Sequence, residues 1–339
     1  VHLPHALCKA LEMEGHLHLP LALIKAGILL HQYFLSLPPL VQKYIIMGFK
    51  GIYKQKSSAS KAGILFLLIF VSVILHSLFA VLLTMLFFDN GMALIQHQNL
   101  SNQVDVNYLK LMQFFTSVGL FVTPILMYSF LISFDFKFTR ITRQSIILVI
   151  AIMMLITPFI GLILEWNMMI SLPDWLMQFH VNSEAIIAAF LQMDTIWDLF
   201  YTILVIAVAP AIGEELLFRG YLQQKISNWL SNPHAAILIS AFLFSAIHLD
   251  LQGIIPRFVL GGVLGYLYYW SGSLWLPILA HFINNAQAVI FSYPLFKVDS
   301  SAYSILSETN IDPMMGLFSF ASSVLLLYIL YQSLSIKKG

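Results

Sequence analysis

Three short clusters of polar residues interrupt the apolar second half of this sequence. They read Gly-Glu-Glu-Leu-Leu-Phe-Arg-Gly at 213–220, Phe-Ser-Ala-Ile-His at 244–248 and His-Phe-Ile-Asn-Asn at 281–285. Carboxylates and imidazoles are the side chains that most often transfer protons in enzymes, and positioned N–H donors stabilise a developing oxyanion. The clusters therefore contain the groups needed to hydrolyse a peptide bond with a base-activated water.

The spacing within each cluster predicts which side chains share a helix face. Glu215 and Arg219 are four residues apart and can pair, whereas Glu214 is rotated about 100° from Glu215 and is left free. The same spacing of four places two further pairs on shared faces: Phe244 with His248, and His281 with Asn285, while Asn284 is a weaker candidate beside His281. We expect a free carboxylate, two imidazoles and an amide to converge on one cavity.

The composition indicates where these clusters lie. Of the 339 residues, 59% are hydrophobic and 10% are charged, against about 45–50% and about 25% in soluble domains. With 17 Lys and Arg against 16 Asp and Glu, no basic surplus is available to bind nucleic acid. The single cysteine, Cys8, cannot form an internal disulfide. These values exclude a water-soluble protein and predict an all-α, polytopic membrane protein.

Apolar runs long enough to cross a bilayer, which takes roughly 20 residues, predict about eight spans around a cavity-containing core open to the cytoplasm. Pro210 lies inside the fourth run and predicts a break between two helical halves. The runs cover 62–88, 107–133, 145–164, 195–230, 234–249, 253–270, 274–292 and 314–334. Ionisable groups within such spans are functional candidates by default. Asp198 is the exception, since a carboxylate near a helix start has an ordinary structural explanation.

Basic residues predict the orientation of the chain. The connectors 89–105 and 165–194 contain no Lys or Arg, whereas basic clusters precede the first run, follow the second and close the chain: Lys50, Lys54, Lys56 and Lys61, then Lys137, Arg140 and Arg143, then Lys337 and Lys338. Connectors rich in Lys and Arg remain in the cytoplasm. Both termini are therefore predicted to be cytoplasmic.

Four segments are predicted along the chain. Residues 1–46 form an N-terminal extension of interfacial or disordered character, although the spacing of His16 and His18 is compatible with a metal-binding tract. No convincing leader for export is found there. Residues 47–194 hold the N-terminal helices and an outer interfacial segment, 195–292 the catalytic core, and 293–339 an outer loop and the last helix.

The order of the clusters resembles a known family. Glu-Glu-x-x-x-Arg, Phe-x-x-x-His and His-x-x-x-Asn, here over about 195–292, are similar to the motifs of the CPBP family of intramembrane proteases. That family includes type II CAAX prenyl endopeptidases and bacterial bacteriocin-processing and abortive-infection proteins. The resemblance implies a peptide or protein substrate, membrane-associated or lipidated, membrane lipids as partners, and the cytoplasmic membrane of a bacterium. We do not transfer CAAX specificity.

The resemblance also implies the roles of individual residues in a glutamate protease that needs no cofactor or metal. Glu214 would be the base and His248 would help to activate water. The remaining roles would be an oxyanion hole formed by His281 and Asn285, and structural support from Glu215, Arg219 and Phe244.

Three alternatives remain open from the sequence. Glu214, His248 and His281 make a His₂Glu set of the kind that binds catalytic zinc with one open position, so the same residues could serve a zinc-dependent intramembrane metalloprotease. A non-catalytic membrane immunity or scaffold protein, or a transporter, could also use a polar cavity. Each cluster taken alone could simply join helices through hydrogen bonds.

Overall fold

The fold is given by a computed structural model that describes residues 31–32, 35–38, 48–88, 91, 95, 99–295 and 311–335. Every regular element in these residues is a helix, and none is a strand. The predicted all-α bundle is therefore confirmed. The predictions for Cys8, His16, His18, Lys337 and Lys338 lie outside the described residues.

Nine helices of more than ten residues follow one another in the described part of the chain. They are α1 (Ser58–Phe87), α2 (Gln103–Ile132), α3 (Arg143–Met168), α4 (Asp174–Phe190), α5 (Ile196–Leu230), α6 (Pro233–Ala246), α7 (Ile254–Ser271), α8 (Trp275–Ser292) and α9 (Pro313–Ser335). A short 3₁₀ turn, Leu251–Gly253, precedes α7.

The chain divides into two compact units. The smaller comprises Val1–Lys61 and Ser129–Phe134, and the larger comprises Ala62–Tyr128 and Asp135–Gly339. Within the smaller unit, the backbone N–H of Gly51 donates to the carbonyl of Phe130 at 3.0 Å. All three polar clusters lie in the larger unit. The segment boundaries predicted from the sequence stay predictions.

All eight apolar runs form helices, and six of these helices are long and apolar enough to cross a membrane: α1, α2, α3, α5, the stretch Leu251–Ser271 that contains α7, and α9. The other two helices are α6, with only 14 residues, and α8. At 1.5 Å per residue α6 is about 21 Å long, which is short of the hydrocarbon thickness of a bilayer. The expected span count is therefore approximate.

Helix α5 is continuous through Pro210, so the predicted break at this residue is wrong. A π-helical turn, Ile203–Val208, ends just before it, and the α-helical turn Ala209–Glu215 carries Pro210 in its first positions. Proline is tolerated at the start of a helical segment, because the N–H that it lacks would have no partner inside the helix there. The wider π turn thus accommodates the proline without ending the helix. A second π-helical stretch, Leu216–Gln223, follows directly.

The start of α5 explains Asp198. The Thr195 side chain accepts a hydrogen bond from the backbone N–H of Asp198, and the Asp198 carboxylate accepts one from the N–H of Thr195. This capping box satisfies backbone donors that have no partner inside the helix. Asp198 therefore has the structural role expected of a carboxylate at a helix start.

The core that holds the clusters is built around α3. Val149, Ile152 and Ile156 are buried there against residues of α7, α8 and α9, including Leu267 and Leu276. A neighbouring group of buried residues joins α2, α5 and α6 through aromatic and aliphatic side chains. Of the three helices that carry the polar clusters, α8 thus packs in the first group of buried residues, and α5 and α6 pack in the second.

Close contact between α6 and α7 depends on Gly261. A Cβ at this position would lie 3.1 Å from both Cα and Cβ of Ala241, whereas a Cβ at Gly262 would meet nothing within 4 Å. We expect Gly261→Val to be about 1–3 kcal/mol less stable than Gly262→Val, because inserted carbon atoms must push the helices apart. Thermal unfolding of both purified variants measures the difference. The helix-propensity cost is the same in each, so equal stability would contradict close packing.

Candidate active site

Glu214 and Glu215 lie on α5 between its two π-helical stretches. Such π turns change which side chains face a neighbouring helix, and they occur often at functional sites. The two adjacent carboxylates have different surroundings. Both are buried, with Glu214 exposing 8% of its surface and Glu215 none.

Glu215 forms an ion pair with Arg219 that is completely buried. The Nη1 group of Arg219 donates to Oε1 of Glu215 at 2.6 Å, and neither side chain is exposed. The Nη2 group of Arg219 donates to the carbonyl of Gly261 on α7 at 3.0 Å. The guanidinium also lies 4.6 Å from the centre of the Phe244 ring. Arg219 therefore links α5, α6 and α7 while it neutralises Glu215.

His281 on α8 faces both carboxylates. Its Nδ1 atom lies 2.8 Å from Oε1 of Glu215, and its Nε2 atom lies 4.0 Å from Oε2 of Glu214. The first distance is a hydrogen bond, in which Nδ1–H donates to the carboxylate. The second is too long for one. Within the described residues Oε2 of Glu214 has no hydrogen-bond partner.

His248 lies just after the last residue of α6. Its Nδ1–H donates to the carbonyl of Phe244 at 2.9 Å, which leaves Nε2 of the neutral ring as an acceptor. The Phe244 ring packs edge-on against both His248 and His281, with centroid distances of 5.4 and 5.7 Å. Phe244 thus holds the two imidazoles apart and orients them.

The amide of Asn285 is oriented by two hydrogen bonds. Its Nδ2 donates to the carbonyl of Ile206 at 3.0 Å, and its Oδ1 accepts from Nδ2 of Asn284 at 3.1 Å. Ile206 belongs to the first π-helical turn of α5. An amide NH₂ has two donors, so one N–H of Asn285 is left after the bond to Ile206.

One cavity of about 530 Å³ brings together the four residues that the sequence singles out for catalysis. Glu214, His248, His281 and Asn285 all line it, and so does Asn284. Phe244 lines it as well, whereas Glu215 and Arg219 lie behind the wall. The rest of the lining is mostly apolar. The sequence predicted that these side chains converge on one cavity, and in the structure they do.

Helix α4 forms one wall of this cavity. Ser183, Ile186, Ile187 and Phe190 line it, and all four belong to the connector 165–194. Because this connector contains no Lys or Arg, the sequence predicts that it lies on the side opposite the basic clusters. The sequence also predicts a cavity open to the cytoplasm; the orientation of α4 and this opening both stay predictions.

Arg257 also lines the cavity, although its place in the sequence did not mark it as a site residue. Its Nη2 donates to Oδ2 of Asp250 at 2.6 Å, and Oδ1 of Asp250 lies 3.1 Å from Nδ1 of His180 on α4. Burial raises the pKa of Asp250, but hydrogen bonds from Arg257 and His180 outweigh it and hold the pKa below its usual value. His180 is 70 positions from Asp250 in the sequence, so no local spacing reveals that it joins this group.

The residues present do not form an evident metal site. Within the described residues, no group of three or more His, Cys, Asp or Glu side chains is placed so that it could hold a metal ion together. Glu214 and His281 are neighbours, and the hydrogen bond from Nδ1–H of His281 to Glu215 leaves Nε2 of His281 able to bind a metal, but no third such side chain of the described residues is grouped with them. The donor geometry therefore does not provide a preformed three-ligand site.

Comparison with known proteins agrees with the resemblance seen in the motifs. Residues 196–287 match the family model described as type II CAAX prenyl endopeptidase Rce1-like. The matched segment contains all three clusters, so the family resemblance is confirmed over this part of the chain. No solved structure is significantly similar to the chain.

Two curated relatives come from Bacillus subtilis (strain 168). One, named "Putative membrane peptidase YdiL", is 31% identical over 113 residues, which are 32% of this chain and 42% of the relative. The other, named "Uncharacterized protein YpbD", is 35% identical over 88 residues, which are 26% of this chain and 41% of the relative. The chain thus spans about two fifths of the length of these relatives. Together with the six candidate spans, the matches identify an integral membrane protein.

Proposed function

We propose that this membrane protein, through its Rce1-like segment, is an intramembrane endopeptidase in which Glu214 activates a water molecule. The observation that carries the proposal is the environment of Glu214. Its carboxylate is buried in a cavity, and its Oε2 atom has no hydrogen-bond partner among the described residues. Leaving a buried acceptor without a partner costs about 1–3 kcal/mol or more, which suits an atom whose partner is the reactant.

The reaction needs one proton to move twice. Glu214 takes a proton from water, and the hydroxide that forms attacks the peptide carbonyl, whose C=O bond opens to an oxyanion. When the C–N bond breaks, Glu214 returns the proton to the leaving amine. His248 supports the first step. The hydrogen bond from its Nδ1–H to Phe244 leaves Nε2 as an acceptor, and Nε2 can accept a hydrogen bond from the second O–H of the water.

Two groups can stabilise the oxyanion. The second N–H of Asn285 is one donor, and its amide is held in place by Asn284 and Ile206. Nε2 of His281 is the other when the ring carries a proton on both nitrogens, with the Glu215 carboxylate beside Nδ1 as its ion-pair partner. Donors fixed before reaction stabilise the transition state without reorganisation.

The proposed substrate is a peptide or protein within or beside the membrane. The lining of the cavity is largely apolar, which suits an extended segment with apolar side chains. A prenyl group is not part of the proposed substrate. We further propose that the protein resides in a bacterial cytoplasmic membrane, with both termini in the cytoplasm.

Comparing membrane proteomes tests this function. Cells with the parent protein and cells with Glu214→Gln should differ by uncleaved proteins that accumulate only in the variant, and the new termini in the parent identify the cleavage position. Identical proteomes would favour a non-catalytic scaffold. A chelator should leave cleavage by the purified parent unchanged; loss of activity together with stoichiometric zinc would instead support the metalloprotease alternative.

Replacing His248 tests its part in activating water. We expect His248→Ala to lower kcat for peptide cleavage by about 10²-fold, because a positioned proton-transfer partner contributes about 10²–10⁴-fold. His234→Ala is the control, since His234 is exposed and does not line the cavity. Cleavage of a reporter peptide by purified proteins in detergent measures both rates. Equal rates for His248→Ala and parent would remove His248 from the mechanism.

A further inference from the structure

A second cavity, of about 310 Å³, lies where several helices end. Its lining includes Lys137 from the α2–α3 connector, Gln223 and Ser227 near the end of α5, and Tyr268 near the end of α7. It shares no lining residue with the candidate active site. The candidate spans Ile196–Leu230 and Leu251–Ser271 end at this level, so the cavity lies close to a membrane surface.

Exposed aromatic residues mark the same level. Trp229, at the end of α5, and Trp275, at the start of α8, expose 81% and 49% of their surfaces. Tryptophan is enriched where the hydrocarbon meets the lipid headgroups. The second cavity is thus at the depth where a lipid headgroup would lie.

Two buried polar atoms in the cavity wall have no partner among the described residues. The Nε2 group of Gln223 donates to the carbonyl of Gly265 at 3.0 Å, which fixes the amide and leaves Oε1 as the unpaired atom. The hydroxyl of Tyr268 is unpaired as well, although its ring is held in a buried cluster with Phe244 and Leu274. Such groups need a partner. Oε1 of Gln223 requires a hydrogen-bond donor, whereas the hydroxyl of Tyr268 can donate a hydrogen bond.

The charge of the cavity favours an anion. Lys137 is the one charged residue among the described lining residues, and no carboxylate lines the cavity. Its backbone carbonyl accepts a hydrogen bond from the N–H of Leu274 at 2.8 Å, which fixes this connector beside the α7–α8 turn. The side chain of Lys137 is exposed, and a cation at the membrane surface attracts anionic lipid.

We propose that this cavity binds the headgroup of an anionic glycerophospholipid with free hydroxyls, of which phosphatidylglycerol is the example. The phosphate pairs with Lys137. A headgroup hydroxyl donates to Oε1 of Gln223 and accepts from Tyr268. Phosphatidylcholine matches less well, because its headgroup has no hydrogen-bond donor and no net charge.

Native mass spectrometry of the full chain in detergent tests the site. We expect phosphatidylglycerol to be retained at least about fivefold more tightly than phosphatidylcholine by the parent. Tyr268→Phe and Lys137→Gln should each weaken phosphatidylglycerol binding by about fivefold, the equivalent of one hydrogen bond or one juxtamembrane charge. Lys225→Gln is the matched control, since Lys225 is an exposed lysine near the end of α5 that lies outside the lining.

Different results of this lipid-binding experiment lead to different conclusions. Equal retention of the two lipids, or equal weakening by Lys225→Gln and Lys137→Gln, would overturn the proposal. Inorganic phosphate or glycerol 3-phosphate that binds as tightly as the lipid, in a manner sensitive to Lys137→Gln, would assign the site to a soluble phosphate and overturn the lipid. Tyr268→Phe retains the ring, and helical circular dichroism verifies its fold. Peptide cleavage is not used, so the result is independent of the proposed function.

Discussion

Glu214→Gln is expected to lower kcat for peptide hydrolysis by about 10³-fold or more while the protein keeps its fold. The substitution changes one oxygen to an NH₂ group of the same shape, so packing in the cavity is retained. It removes the only proposed base, and general base catalysis contributes about 10²–10⁴-fold. Because Oε2 of Glu214 has no partner among the described residues, no hydrogen bond that stabilises the fold is lost.

The matched control is Glu184→Gln. Glu184 is an exposed residue of α4, so the same chemical change there should leave kcat within about twofold of the parent. Reporter-peptide cleavage by proteins purified in one detergent measures all three rates, and thermal unfolding confirms that each variant is folded. Retention of full activity by folded Glu214→Gln would eliminate the hydrolytic mechanism proposed here.

Arg219→Met should have the largest effect on stability. Removing one partner of a buried ion pair leaves the other charge uncompensated and costs about 3–5 kcal/mol. Glu215 and Arg219 are both fully buried and lie 2.6 Å apart, so solvent cannot replace the lost partner. We expect a large fall in the temperature of thermal unfolding, or no folded protein at all.

A double variant distinguishes charge from packing. Arg219→Met combined with Glu215→Gln removes both charges and retains an amide oxygen that can accept from His281, so it should be more stable than Arg219→Met alone. Arg140→Met is the control, because Arg140 is exposed and its loss should change stability by about 0.5 kcal/mol or less. If the double variant were as unstable as the single one, the cost would lie in packing, including the contact with Phe244.

Much of the site could be predicted because its signals are local. The i,i+4 spacing places Glu215 beside Arg219 in any helix, and that pair is present. Glu214, on the adjacent position, is left without this partner for the same geometric reason. Ionisable residues in apolar runs are conspicuous because burying them is costly, so the clusters could be selected without knowledge of the fold.

Other features depend on contacts between distant segments. The hydrogen bond from His281 to Glu215 joins α8 to α5 across 66 positions, and Arg257 and Asp250 reach His180 on a helix that the sequence suggested only as an interfacial segment. The π turn before Pro210 also differs from the break that the local sequence predicted.

The sequence by itself determined the helical membrane architecture, the identity of the polar clusters and the faces they share, because hydropathy and helical periodicity act within about one or two turns. Only the tertiary structure decided which carboxylate His281 contacts, that Oε2 of Glu214 has no hydrogen-bond partner among the described residues, and that α4 forms a wall of the cavity. These features depend on how the helices approach one another, and that arrangement results from the close packing of many side chains at once.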